Sequence, residues 1–342
     1  MKTIWKVIII AIVAGLILAV IGLSMGASTL LFWDGTKFQT DDNNEAVSKI
    51  NEPVIEPFSS IYVITSFCDV EIIVADNYGI EAVGYNMQWD WALENGVLRV
   101  TQTNKSQSWI GVIGFNRTTM STNHNYLKIY IPGNTEFDIV SVDSNSGDVR
   151  FSSLQSDSVQ INSSFGDIRI SAVTCDSLKV DQNSGDFTGM DLSTRTIFYN
   201  SSFGDGSFQN ATAERFTANQ DSGDLNLTNC EFGDIVTTNS FGSITARDVI
   251  SRGADIRCDS GDVRLGGDFS GMTVLNTSFG DIRLTTSRTR EEYSYEITTK
   301  FGDVKFGGDR YGSNASVYSG SVLENHLKIT SSSGDVEVIF AK

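Results

Sequence analysis

The chain has 342 residues and a formal net charge of −17, from 25 Lys and Arg against 42 Asp and Glu. A chain this acidic repels nucleic acid and anionic lipid, which excludes both as partners. Thirty-one glycines against three prolines exclude a Pro-rich disordered linker and favour β-structure with many tight turns.

Residues 1–33 form the first predicted element. Lys2 and Lys6 precede an apolar run from Val7 to Leu23, which resumes at Leu30 and ends at Trp33. At about 1.5 Å per residue, some 20 residues cross the hydrocarbon core. The run therefore reads as a transmembrane signal-anchor helix. Its lysines keep the N-terminal end cytoplasmic, so the rest of the chain is expected outside the cell membrane, single-pass. A cleaved signal peptide ending at Gly26-Ala27-Ser28 is the rival reading. Residues 34–57 carry Asp41, Asp42 and Glu45 and prolines at 53 and 57, and read as a polar tether.

Residues 58–137 are predicted as a first, imperfect coil with an N-terminal β cap. Ile61 and Val63 alternate before Phe67-Cys68-Asp69, and Val70 and Ile72 follow. Val83, Tyr85, Met87 and Trp89 then alternate, and Asn95-Gly96 marks a hairpin turn before Val97. Within this segment, Trp109, Ile110 and Phe115 make an apolar loop between polar flanks. They are candidate contacts for a partner or membrane, against packing on the end of the fold. Leu127, Ile129 and Ile131 alternate up to Pro132.

Residues 138–342 carry the dominant signal. Gly147, Gly166, Gly185, Gly204, Gly223, Gly242, Gly261 and Gly280 recur every 19 residues, each preceded by Ser or Phe and all but Gly242 followed by Asp. With each glycine as position zero, positions +2 and +4 are mostly apolar (Val149/Phe151, Ile168/Ile170) and so are −7 and −5 (Val140/Val142, Val159/Ile161). Alternation of this kind gives strands with one face inward. One such unit cannot bury its apolar face alone, but a stack can. The predicted fold is thus all-β, a parallel β-solenoid (β-helix) of ~19-residue coils, behind an N-terminal transmembrane helix. Further units lie at Gly302 and Gly334, with an insertion between 307 and 325. Ser and Phe alternate at position −1. Either each coil has one unit, with Phe filling the space left by Ser above and below, or a coil spans two units and Phe and Ser form separate columns. The first is favoured, and the sequence leaves both open.

The strings Leu127-Lys-Ile-Tyr-Ile-Pro-Gly-Asn and Val140-Ser-Val-Asp-Ser-Asn-Ser-Gly-Asp-Val149, followed by recurring S-G-D-V/I units, resemble the bacterial "putative adhesin" family. The resemblance covers about residues 58–342. It implies a membrane-associated or exported β-solenoid, in some members linked with cell-envelope stress. Phe before Gly in half the units departs from the family's more uniform S-G-D pattern.

Chemistry is thinly represented. The column Asp148, Asp167, Asp186, Asp205 and Asp224 places carboxylates about 5 Å apart, where each pair repels by roughly 1 kcal/mol in high dielectric. Hydrogen bonds from turn amides, as in Asx-turns, are the expected offset; Ca²⁺ bridging is the competing one. Cys68, Cys175, Cys230 and Cys258 occupy different columns and read as buried thiols. His124 and His326 stand outside any recognisable catalytic motif, and the acids recur identically where an active site needs an exception. The expected role is therefore a non-enzymatic, adhesin-like binding or scaffold module of the cell envelope with no cofactor. It would meet the membrane through its N-terminal helix, with protein or cell-wall glycan as its expected partners. A Ca²⁺-stabilised adhesin and a carbohydrate-active β-helix enzyme are the alternatives.

Overall fold

The computed structural model describes residues 31–33, 38–40, 47–85, 87–104, 124–320 and 323–341. Residues 1–30 of the predicted anchor, and Trp109, Ile110 and Phe115, lie outside the described residues. Among the described residues no helix is long and apolar enough to cross a membrane. Leu31–Trp33, assigned above to the end of the anchor, instead forms a short strand antiparallel to Phe38–Thr40.

The repeat glycines set the architecture. Val149 pairs with Ile168, and Ile168 with Phe187, always in parallel and always 19 residues apart. A coil therefore contains one glycine, not two. Within a coil the pairing runs from 149 to 152, 154 to 156 and 158 to 163, and breaks at Ser153, Asp157 and Ser164. The first break is a corner whose residue takes the left-handed conformation in six successive coils: Ser153, Ala172, Asp191, Asn210, Asn229 and Asp248. Four of the six are Asn or Asp, which tolerate that region better than other side chains.

The inward positions are those the alternation assigns. Val140, Val142, Val149, Phe151, Val159 and Ile161 are buried, and a single core runs the length of the stack. In its middle, Phe187, Tyr199, Phe208, Phe216 and Phe232 pack ring against ring, with centroids 4.7–5.6 Å apart. All four cysteines are free and buried. Burial pushes the Cys175 thiol up to about 12 and Cys258 to about 11, so both stay protonated.

Position −1 differs from expectation. Phe165, Phe203, Phe241 and Phe279 are exposed, not packed into gaps left by serine. The pairing break at position −2, as at Ser164, resets the strand's two-residue alternation. The side chain that parity would turn inward then lies on the outer surface.

Both ends invert the order of the chain. Ser60–Thr65 lies between Val97–Asn104 and Glu136–Ser146, so the outermost N-terminal coil is built from 97–104 and 126–132. In that coil Gln102 Oε1 accepts the N–H groups of Ser66 and Phe67 at 3.1 and 2.9 Å, and Asn125 Nδ2 donates to Phe67 O at 2.8 Å. At the other end Asn325–Ser333 sits between Met272–Phe279 and Tyr293–Phe301. The last coil in sequence is thus the penultimate layer in space.

Antiparallel strands cover both outermost coils. Gly79–Tyr85 and Met87–Glu94 do so at the N-terminal end, with Asn95 and Gly96 making the expected turn at positive φ. Asp309–Ser313 and Ser316–Tyr318, from the insertion after Gly307, do so at the other. Covering an exposed edge in this way blocks pairing with other chains. Val47–Glu52, expected within the tether, pairs with Gly79–Tyr85 and belongs to the N-terminal cap. Its Ile50 is buried in the core, and this anchors a segment that composition alone marks as polar.

Candidate functional site

The glycine turns bring coils into closest contact. Gly166 has φ +129°, and a Cβ there would stand 2.2 Å from Gly147 O. Only glycine satisfies both the conformation and the approach. Each glycine carbonyl then needs a donor. Gln182 Nε2 supplies one to Gly166 O at 2.8 Å, and Asn239 Nδ2 one to Gly223 O at 2.8 Å, both from the buried −3 column.

The aspartates after the glycines form the column expected from sequence, with a different bonding scheme. Asp148, Asp167, Asp186, Asp205 and Asp224 do not bond their own turns as Asx-turns would. Asp148 Oδ1 accepts the backbone N–H of Asp167 at 2.9 Å, Asp167 that of Asp186 at 3.0 Å, and Asp186 that of Asp205 at 3.0 Å. Asp205 accepts from Asp224 and Asp224 from Ser243, both at 2.8 Å. The column follows space, not sequence, at the C-terminal end: Asp281 accepts from Asp335, and Asp335 from Asp303. The second oxygen takes an arginine two residues on, in the pairs Arg150–Asp148, Arg169–Asp167 and Arg264–Asp262. For Asp167 the Asp186 amide, helped by Arg169 and opposed by burial, holds the carboxyl below the usual range.

Each Oδ1 of the column thus has a donor, and among the described residues no three His, Cys, Asp or Glu side chains converge as a metal set. Two amide ladders flank the column. Asn200 Nδ2 donates to Asp181 Oδ1 at 2.6 Å and Asn219 to Asn200 at 3.0 Å on the −4 side. At the left-handed corner Asn210 donates to Asp191 at 2.8 Å and Asn229 to Asn210 at 2.7 Å. The −4 and −2 residues, among them Asn162, Ser164, Asp181 and Asn183, line a groove of about 750 Å³ running along the stack.

The histidines bring one pairing that motif searching misses. Ser294 Oγ and His326 Nδ1 lie 2.8 Å apart on neighbouring strands. Ser294 is fully buried and also accepts the Leu323 N–H at 3.0 Å, so its hydroxyl stitches the inverted end together and presents no nucleophile to a substrate.

None of the curated proteins matches this chain. Among solved structures, a "putative adhesin" from Bacteroides fragilis is 13% identical and covers 86% of this chain and 98% of its own, with a TM-score of 0.34. A "putative lipid binding protein" from Parabacteroides distasonis is 12% identical over 68% of this chain and 98% of its own, with a TM-score of 0.34. A "putative cell adhesion protein" from Clostridium sporogenes is 8% identical over 85% of this chain and 98% of its own, with a TM-score of 0.20. The profile of the Toastrack DUF4097 family matches twice, over residues 58–194 and 183–339, which together take in every coil and both inverted ends. The chain belongs to the Toastrack DUF4097 family.

Proposed function

We propose that this is a non-enzymatic, adhesin-like binding or scaffold module of the bacterial cell envelope, serving the envelope's response to stress. The apolar run within residues 1–30 holds it at the cell membrane in a single pass, and the parallel β-solenoid stands outside. The observation that carries this reading is uniformity. The aspartate column recurs in place from coil to coil, and its hydrogen bonds go to the next coil. A surface of that kind offers many equivalent positions to an extended partner and no singular one for catalysis.

Cross-linking intact envelopes that carry the full chain, followed by its purification, tests the reading. Recovery of envelope material with the wild type, and protection of residues 47–341 from cytoplasmic but not external protease, is the expected result. A domain digested only from the cytoplasmic side overturns the topology. A calcium-stabilised form of the same module would use the Asp148–Asp224 carboxylates. Identical melting in EDTA and in Ca²⁺ removes it, and turnover of an envelope glycan by the purified chain would replace the module with an enzyme.

A further inference from the structure

The phenylalanines at position −1 occupy one line on the outside of the stack. Phe165 pairs with Ser184, Ser184 with Phe203, Phe203 with Ser222, Ser222 with Phe241, Phe241 with Ser260 and Ser260 with Phe279. At the inverted end the order along the chain is Phe279, Phe301, Ser333. The order in space is Phe279, Ser333, Phe301, because Ser333 pairs with both phenylalanines. At the other end Phe67 precedes Cys68, which bonds Ser146 O, so Phe67 stands beside Ser146. Duplication of a two-coil unit would give alternation along the chain. Alternation kept in space where the chain order reverses points to a constraint on the assembled surface.

That surface is an aromatic row. Exposure rises from 48% at Phe67 to 75% at Phe301, and among the described residues no ring pair joins any two of the six. Successive rings are two strand spacings apart, roughly 9.6 Å. The rows on either side are polar: Asp148, Asp167 and Asp205 follow the glycines, and Asn145, Asn183 and Ser202 at −2 form the rim of the groove.

A second copy of the chain does not fit this row. A closed dimer has a two-fold axis. With that axis across the stack, a one-coil offset seats each Phe opposite a Ser, but the aspartate columns then face one another. With the axis along the stack, the aspartates separate, but each Phe meets a Phe and no offset is available without opening the symmetry. An anionic polymer or lipid is repelled by the same column and by the net charge of −17.

We propose that the row binds an extended, uncharged β-1,4-linked polysaccharide, one ring to each disaccharide. Such a chain presents the same face of every second sugar at a repeat close to two strand spacings. The CH-rich face of a pyranose packs on the electron-rich face of a phenyl ring. Its hydroxyls meet carboxylate and amide acceptors on both sides, and the serine coils leave room for the intervening sugar. The proposal rests on the binding-module reading above and names the ligand class.

Calorimetric titration of the full-length protein with cellohexaose and chitohexaose, against an α-1,6-linked glucose hexamer, tests it. We expect at least one β-1,4 hexamer to bind, more tightly than its dimer, and the α-1,6 hexamer not to. Phe203→Ser with Phe241→Ser places at two coils the residue that alternate coils already carry. It should weaken binding by about tenfold or more with no change in melting temperature. Absence of binding to both β-1,4 hexamers, or equal affinity for wild type and double variant, overturns the proposal. If the hexamers fail while intact envelopes are still captured, the module reading survives without this ligand; if neither binds, both fall. A dimer in sedimentation that the double variant abolishes, without glycan binding, assigns the row to self-association and overturns the proposal.

Discussion

Four residues separate backbone from side-chain control of the coil. Gly166→Val adds a Cβ 2.2 Å from Gly147 O at a φ of +129°, so the turn or the coil spacing must yield. The expected cost is about 3 kcal/mol or more. Arg169→Ala removes half-exposed ion pairs with Asp167 at 2.7 Å and Asp148 at 3.8 Å, and costs about 1 kcal/mol or less. Urea midpoints of the two variants check this, and equal midpoints would contradict the role given to the glycine. Ala172 holds the left-handed corner at φ +50° without the side chain that favours it, where four equivalent coils use Asn or Asp. Ala172→Gly should therefore stabilise, by up to about 1 kcal/mol. At Asp205 the acceptor matters more than the charge, because Oδ1 takes the Asp224 amide at 2.8 Å. Asp205→Asn keeps an oxygen there and should melt close to wild type, whereas Asp205→Ala should lose about 1 kcal/mol.

At the scale of the strand and its turn, pH reads out the same bonding. The Asp167 carboxyl is held below its ordinary range by the Asp186 amide first and Arg169 second. Glu81 in the cap is held down by the Tyr126 hydroxyl at 2.7 Å and then by Tyr130 at 2.9 Å. Because both folded values lie below the unfolded ones, the stability they add is complete above the ordinary carboxylate range. It is lost as pH falls through the folded values. Melting temperature should be flat from about pH 7 to 5 and drop below about pH 4. The double variant Asp167→Asn, Glu81→Gln should show a smaller acid-side drop than wild type, and an unchanged drop would place the linked protons elsewhere. The strands and turns behind this behaviour were legible because a stacked fold imposes one constraint on every unit. Val149/Phe151 and Ile168/Ile170 could be assigned inward, and Gly147 to Gly280 to one turn, without coordinates. The direction of Phe165 was not legible. Parity along the strand turns it inward, and only the pairing break at Ser164 shows that it faces out. The donors to the aspartate column were half legible: turn amides were expected, but a period along the chain does not say that they belong to the next coil.

For the whole molecule, periodicity gives spacing along the chain and not the order of layers, so both inverted ends escape it. The outer N-terminal coil was hidden further because residues 105–125 separate its two strands along the chain, and its bonds to Ser66 and Phe67 come from the side chains of Gln102 and Asn125. The inversion makes truncation informative. In a stack whose layers follow chain order, trimming the C-terminus removes the end layer and spares the rest. Here, deleting residues 325–342 removes the layer between Met272–Phe279 and Tyr293–Phe301. Tyr293–Phe301 would lose its parallel partner, and the Ser294–His326 contact with it. Amide exchange in residues 293–318 should then become fast while residues 136–286 stay protected. Deleting 288–342 instead removes both outer layers and ends the stack at Ile282–Thr286, so protection of 136–265 should be retained in both truncations. Slow exchange at 293–306 in the shorter deletion would mean that these strands hold together without the layer beneath them, and the nearest-neighbour account of this stack would fail at the end where it is most exposed to test.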